Sequence, residues 1–407
     1  MTVTIAPHPP SIPVPVAPAT LLVFADDWGR HPSSAQHLIR RLLGRHRVIW
    51  VNTVGMRPPR LDLVTVRRGL QKISQWILPS SPPACEAERP TEAGPHVLNP
   101  RMWPWMRRQW ERAWNARLVA RQLAPVLKAE SGPIIAVTTL PISADLIGRL
   151  PVDRWVYYCV DDFASWPGLD RQPLLDLEAE LLRKVDSVIA VSTVLMQRLQ
   201  SSNSVPAFLP HGVDLEHWQS VSHSPADGPD LTEKSHPRCL FWGLVDRRLD
   251  PAFLGALDRE LEGGSILLLG PTDQPPLDPQ WQRVSLLPAC SYAALPAVAR
   301  QADVLIMPYV DAQVTRAMQP LKLLEYLATD RPVVVRDLPA NREWADCLDL
   351  AATPADFARL VRLRAATGLP PEQAAARAAR LPAESWAGRA DRFEQLLCQP
   401  LTTGGAP

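Results

Sequence analysis

The sequence predicts an α/β protein built as two doubly wound halves, each a parallel sheet covered on both faces by helices. Three observations predict it. At 407 residues the chain exceeds one ordinary core and suits two domains of roughly 150 to 200 residues. Short apolar, β-branched runs recur between helical segments, and a continuous apolar run marks a strand buried on both faces. A polar stretch, QSVSHSPADGPDLTEKSHP, separates one series of such runs from another. Hydrophobic residues make up 46% and charged residues 21%, which excludes the disordered, collagenous and coiled-coil classes. With 43 basic against 42 acidic residues the net charge is +1, so any electrostatic partner must be met locally.

The elements follow in order. Residues 1–18 are a proline-rich lead expected to be disordered. The first domain, 19–217, carries strands TLLVFA (20–25), RVIWVNT (47–53), PIIAVTT (133–139), RWVYYCV (154–160), DSVIAVS (186–192) and AFLPHG (207–212). After a linker at 218–237 the rhythm restarts in a second domain, 238–375. Its strands are RCLFWG (238–243), SILLLG (265–270), RVSLLPA (283–289), ADVLIMPYV (302–310) and RPVVVRD (331–337). An alanine- and arginine-rich helical stretch, 376–400, is long enough to run back to the first domain, and 401–407 form a disordered tail. Two such halves enclose a cleft, and ligands of open α/β sheets bind outside the carboxyl ends of the strands.

The six cysteines are scattered, with no CxxC and no Cys/His cluster at zinc spacing, as for reduced thiols. No stretch of about 18 apolar residues occurs, and the opening residues lack the basic and apolar regions of a signal peptide. The expected location is cytoplasmic, with any membrane contact made from the surface.

The strongest functional signal follows the strand ADVLIMPYV: a polar stretch, DAQVTRAMQ, then PLKLLEYLATDRPVVV. Pro320 is placed to be the first residue of a helix on which Lys322 and Glu325, three apart, share a face. Free N–H groups at a helix start and the Lys322 ammonium suit an anionic phosphate, and a carboxylate one turn on can accept both hydroxyls of a ribose diol. The pattern P-x-K-x-x-E-Y-x-A, a short turn and PVV resembles the donor segment of GT-B glycosyltransferases of the group 1, family four-like class. That resemblance implies a GT-B fold, a diphosphate contact by Lys322 and a ribose contact by Glu325. FWGLVDRRLD is similar to the family's first strand of that half, implying diphosphate contacts by Gly243 and by Arg248 in preference to Arg247. Gly270, in LLLGPTD, is expected near the nucleotide. The pattern also departs from the family: Ala317 stands where a glutamate is usual, eight residues before Glu325, and the loop has no glycine. Thr315 or Gln319 is the expected substitute for the sugar contact.

In the first half, TLLVFADDWGRHPSSAQHLIRRLL places Asp26, Asp27, His31 and His37 past the first strand's carboxyl end. Together with VIWVN (48–52) it is similar to polysaccharide enzymes of the teichuronic-acid (TuaH-like) branch. His31 and His37 are candidates for a base or hydroxyl-orienting group. In YYCVDDFASWPG, Asp161 and Asp162 end another strand, with Asp162 the candidate catalytic carboxylate and Asp161 acceptor-side; capping of the next helix is the alternative role. The GT-B resemblance implies that basic residues and helix ends hold the diphosphate in place of a cation, and no third ligand accompanies Asp26 and Asp27, so no metal is expected and the nucleotide-sugar is a substrate with no cofactor beside it.

Between these lies RMWPWMRRQWERAWNARLVARQ. On a helical wheel Met106, Trp110, Trp114 and Leu118 form one stripe with Arg108 and Arg112 opposite. Either the stripe faces the core, or Trp103, Trp110, Trp114, Arg108 and Arg112 meet an anionic membrane carrying a lipid-linked acceptor. The combined expectation is a glycosyltransferase that moves a sugar from a nucleotide-sugar donor to a saccharide or lipid-linked acceptor in cell-surface polysaccharide or exopolysaccharide synthesis. The resemblance implies retention at the anomeric carbon. The alternative is a catalytically silent GT-B-like nucleotide-binding or scaffolding protein.

Overall fold

The computed structural model describes residues 17–30, 32–52, 94–103, 106, 108–166, 169–200, 205–220 and 228–399. Most of the proline-rich lead, His31, linker residues 221–227 and the tail from 400 lie outside them.

The first sheet has seven parallel strands: β1 (Thr20–Ala25), β2 (Arg47–Asn52), β3 (His96–Leu98), β4 (Ile134–Thr138), β5 (Arg154–Cys159), β6 (Ser187–Ala190) and β7 (Ala207–Phe208). They lie in the order β3-β2-β1-β4-β5-β6-β7. The second sheet draws on β8 (Arg238–Trp242), β10 (Ser265–Leu269), β12 (Val284–Leu287), β13 (Val304–Met307), β14 (Val333–Arg336) and β15 (Asp349–Ala351). Its order is β12-β10-β8-β13-β14-β15, again all parallel, and the short strands β9 (Val245–Asp246) and β11 (Thr272–Asp273) pair beside it. Strand order reverses between β1 and β4 in one sheet and between β8 and β13 in the other. Such reversals leave a crevice at the carboxyl ends, where α/β sheets bind ligands. The fold is GT-B: two Rossmann-like domains with parallel sheets.

Burial explains why these segments are strands. Every residue of β1, β4, β8 and β13 is buried, because helices cover both faces. The edge strands β3 and β15, three residues each and largely half-exposed, carry no continuous apolar run and were not foreseen. The stretch after 370 is two helices, Pro371–Arg380 and Trp386–Cys398, parted by a 3-10 turn at Leu381–Glu384. Trp386, Ala390, Phe393 and Leu397 of the second belong to the first domain's core, against the helix Ser34–Leu42. Where described, the polar connection packs against the second domain, with Trp218 and Leu231 in its core.

The tryptophan helix, Gln109–Lys128, turns differently from its wheel. Ala116, Val119, Leu123 and Leu127 face the sheet, and Trp103, Trp110 and Trp114 are 40%, 56% and 49% exposed. The stripe's tryptophans therefore do not face the core, although Met106 at its start packs against it. Arg112 is not a free basic group either: it bonds Asp145 at 2.7 Å and pairs with Glu180. Among the described residues no helix is long and apolar enough to cross a membrane.

Candidate donor site

The site forms at the carboxyl ends of β8, β10 and β13. Gly243 ends β8 at φ +127° and Gly270 ends β10 at φ +139°, conformations that side chains with a Cβ rarely take. They also leave no room. A Cβ on Gly270 would stand 2.1 Å from the Gly243 carbonyl oxygen, and one on Gly243 would stand 2.1 Å from Lys322 Nζ. The lysine ammonium thus lies in the space that the missing side chain leaves.

Lys322 belongs to the helix Leu321–Leu327. Pro320 is the extended residue just before that helix (φ −69°, ψ 118°), one place earlier than the sequence suggested, and its ring is buried. The ammonium donates to Tyr309 Oη at 2.8 Å and lies 4.3 Å from the centre of the Phe241 ring. Among the described residues it has no carboxylate within ion-pair distance. A half-buried cation so placed, on an aromatic face beside an open backbone, is suited to an anion.

Arg248 turns inward while Arg247 is exposed. Its Nε lies 3.0 Å from both carboxylate oxygens of Asp246, which leaves its terminal nitrogens for other partners. Its guanidinium carbon is 4.4 Å from the Trp166 ring centre and 5.9 Å from that of Tyr309. Lys322 Nζ is 5.4 Å from the same Tyr309 ring, so the two cations converge on one tyrosine. Trp166 comes from the first domain, so the two domains meet at this contact. Asp161, on the same loop, is pushed up to about 6 by burial, against the pull of the Trp166 indole and the Arg248 charge.

Glu325 lies three residues on from the lysine in the same helix. Burial pushes its carboxyl up to about 7, against hydrogen bonds from Trp242 and Tyr292 and the charge of Lys322. The Trp242 bond is 3.4 Å, and the Tyr292 hydroxyl also accepts from Trp218 Nε1 at 3.2 Å. Tyr292 stacks on His217 (4.3 Å between centroids) and meets His37 edge-on (5.9 Å), while His37 lies flat on Trp386 at 4.7 Å. Burial drives His37 down to about 4, so at neutral pH its ring is uncharged and carries no imidazolium proton to give as an acid.

Other expected site residues are committed elsewhere. Asp162, only 1% exposed, accepts from Ser165 at 2.7 Å and from Gln313 Nε2 of the opposite domain at 3.1 Å, with Arg198 at 3.8 Å. A carboxylate so occupied joins the domains, and Asp161 is the one that faces the cationic cluster. The Thr315 hydroxyl is buried and bonds the carbonyls of Val310 and Ala312, so it turns away from any sugar. Gln319 Oε1 accepts the His211 N–H at 2.7 Å, and the Ala317 carbonyl accepts from Ser192. Asp26 is held by Ser33 (2.9 Å) and Gln36 (2.7 Å), and Asp27 pairs with Arg30, so both shape their own loop.

Tyr309, Trp166, Tyr292 and Gln313 were not foreseen. Tyr309 lies inside the apolar run ADVLIMPYV, whose strand ends at Met307, and the rest meet their partners only across long sequence separations.

No protein-family model matches the chain, and no curated protein matches its sequence. Solved structures do. A trehalose-6-phosphate protein from E. coli bound with UDP-2-fluoro glucose is 14% identical, with a TM-score of 0.61 over 94% of this chain and 99% of that one. HepE from Anabaena, in complex with UDP and glucose, is 13% identical, with a TM-score of 0.57 over 93% and 99%. The α,α-trehalose 6-phosphate synthase from Burkholderia multivorans is 15% identical, with a TM-score of 0.57 over 94% and 96%. At these identities the likeness establishes the GT-B fold.

Proposed function

We propose that the chain is a glycosyltransferase that holds a nucleotide-sugar donor in its second domain and passes the sugar to an acceptor in the cleft. One observation carries this: the Lys322 ammonium occupies the space over Gly243 with no carboxylate partner among the described residues. Glycosyl transfer builds negative charge on the departing diphosphate, and fixed cations and backbone N–H groups in a partly dry site stabilise it. Lys322, the free nitrogens of Arg248 and the backbone at Gly243 are positioned for that task, and Glu325 for the ribose. Asp161, beside Arg248, is the group to take the acceptor hydroxyl's proton or to orient it. That HepE is bound to UDP and glucose, and the E. coli protein to UDP-2-fluoro glucose, is in keeping with this reading.

The acceptor we favour is a lipid-linked saccharide at an anionic membrane, in cell-surface polysaccharide or exopolysaccharide synthesis. Support comes from the outward tryptophans Trp103, Trp110 and Trp114, flanked by the exposed Arg101, Arg108, Arg117 and Arg121. A nucleotide-binding protein without transfer is the second reading, favoured by the absent glutamate at Ala317 and by the commitment of Thr315 and Gln319 to structural bonds.

A panel of UDP-, GDP- and ADP-sugars tests the first reading. One member should raise the melting temperature, and nucleoside diphosphate should be released only when acceptor lipid is added. Lys322→Ala should abolish both effects. Binding without release would favour the second reading, and no binding at all would refute both.

A further inference from the structure

We infer that Tyr309 is a further ligand of the leaving diphosphate, its phenolic hydrogen being a third donor beside Lys322 and Arg248; this deepens the glycosyltransferase reading and rests on it. The argument is one of hydrogen-bond direction. An ammonium has three donors and no acceptor, so in the 2.8 Å contact with Lys322 Nζ the phenol oxygen must accept. Its own hydrogen is then free to donate, and among the described residues Lys322 is the phenol's one hydrogen-bond partner. A buried hydroxyl hydrogen without an acceptor is costly, and an anion set against Lys322 would supply one.

Position and rigidity agree. Tyr309 follows β13, at the strand-order reversal beside β8, where Gly243 leaves the backbone open. It is 2% exposed, packs edge-on against Phe241 at 5.9 Å and bridges to Leu249 through its backbone. Lys322 and Arg248 both lie within 6 Å of its ring centre, so an anion drawn to either cation comes close to the phenol. A hydroxyl held there needs no rearrangement when charge develops on the diphosphate, which is the condition for transition-state stabilisation.

The test uses the full chain and UDP, GDP and ADP, each compared with its nucleoside by calorimetry. Tyr309→Phe removes the hydroxyl and keeps the ring. It should weaken the best diphosphate about 10-fold, the loss of one charge-assisted hydrogen bond, and leave the nucleoside unchanged. Site-specific 3-fluorotyrosine, a more acidic and better donor, should bind the diphosphate more tightly, and it serves as the second variant if the phenylalanine protein fails to fold. Lys322→Ala is run alongside. If it loses the diphosphate while Tyr309→Phe does not, the tyrosine role is overturned and the donor site stands. If neither variant matters, or no diphosphate binds the parent chain, the donor site falls and the inference with it.

Discussion

Replacing Glu325 by Gln should make the unliganded protein more stable above neutral pH and a poorer nucleotide binder. The carboxyl is raised from 4.5 to about 7 by burial. Between those values the folded state holds a proton that the unfolded chain has lost, so stability falls as pH rises through that window. At pH 8 both states are ionised and the whole penalty is present. At about 1.4 kcal/mol per unit the shift corresponds to about 3 kcal/mol, an upper bound because the residue is not wholly shut off from water, which screens part of the charge. Glutamine carries no such charge. Melting curves of Glu325→Gln and the parent should therefore nearly coincide at pH 4.5 and diverge by several degrees at pH 8, the variant melting higher, since 1 kcal/mol moves the midpoint of a domain this size by about 2 to 4 °C. A carboxylate accepting two ribose hydroxyls must be ionised, so nucleotide binding to the parent near pH 6.5 should release a proton. Calorimetry in buffers of different ionisation enthalpy would detect it, and the variant should release none. A stability difference that ignores pH, or an unchanged affinity, would refute this account of Glu325.

Gly243→Ala sets a Cβ against Lys322 Nζ and strains the backbone at φ +127°; it should abolish diphosphate-induced thermal stabilisation, while circular dichroism shows the fold retained. With Asp161 ionising at about 6, transfer measured across pH should rise through that value as the carboxylate becomes able to take a proton, and Asp161→Asn should lose both the rise and most of the rate. Trp110→Ser with Trp114→Ser should each change stability by less than about 0.5 kcal/mol, because both side chains are exposed, and together should abolish sedimentation with anionic phosphatidylglycerol vesicles.

The parts legible in the sequence were those fixed by local physics. TLLVFA and ADVLIMPYV read as strands because burial on both faces demands unbroken apolar runs. FWG and PLKLLEY carried the glycine and the lysine that meet, because each lies where a strand or helix must end. Tertiary packing decided the rest. The wheel marked the aromatic stripe of the helix Gln109–Lys128 but left open which way it faces; the sheet packs against Ala116, Val119, Leu123 and Leu127, whose smaller side chains allow close approach. Adjacent aspartates could not be told apart by sequence either. Asp162 binds Gln313, 151 residues away, and Asp161 faces Arg248, so their roles separate only once the domains meet.

The segment from Gln313 to Gln319 shows what that meeting implies. Three of its groups reach the opposite domain: the Gln313 amide to Asp162, the Ala317 carbonyl to Ser192, and the Gln319 carbonyl to the His211 N–H. A glycine-rich loop at this place could wrap a sugar; this one has no glycine, is tied at both ends and in the middle, and has Thr315 capping its own turn. Its bonds would have to break for it to grip a ligand, and each buried polar group left unmatched costs about 1 to 3 kcal/mol. If the chain transfers a sugar as proposed, discrimination among sugars falls to the facing loop from Asp161 to Trp166, whose Trp166 ring lies under Arg248. An exchange of specificity should therefore follow substitutions in that loop rather than in the segment where the family resemblance would look for it.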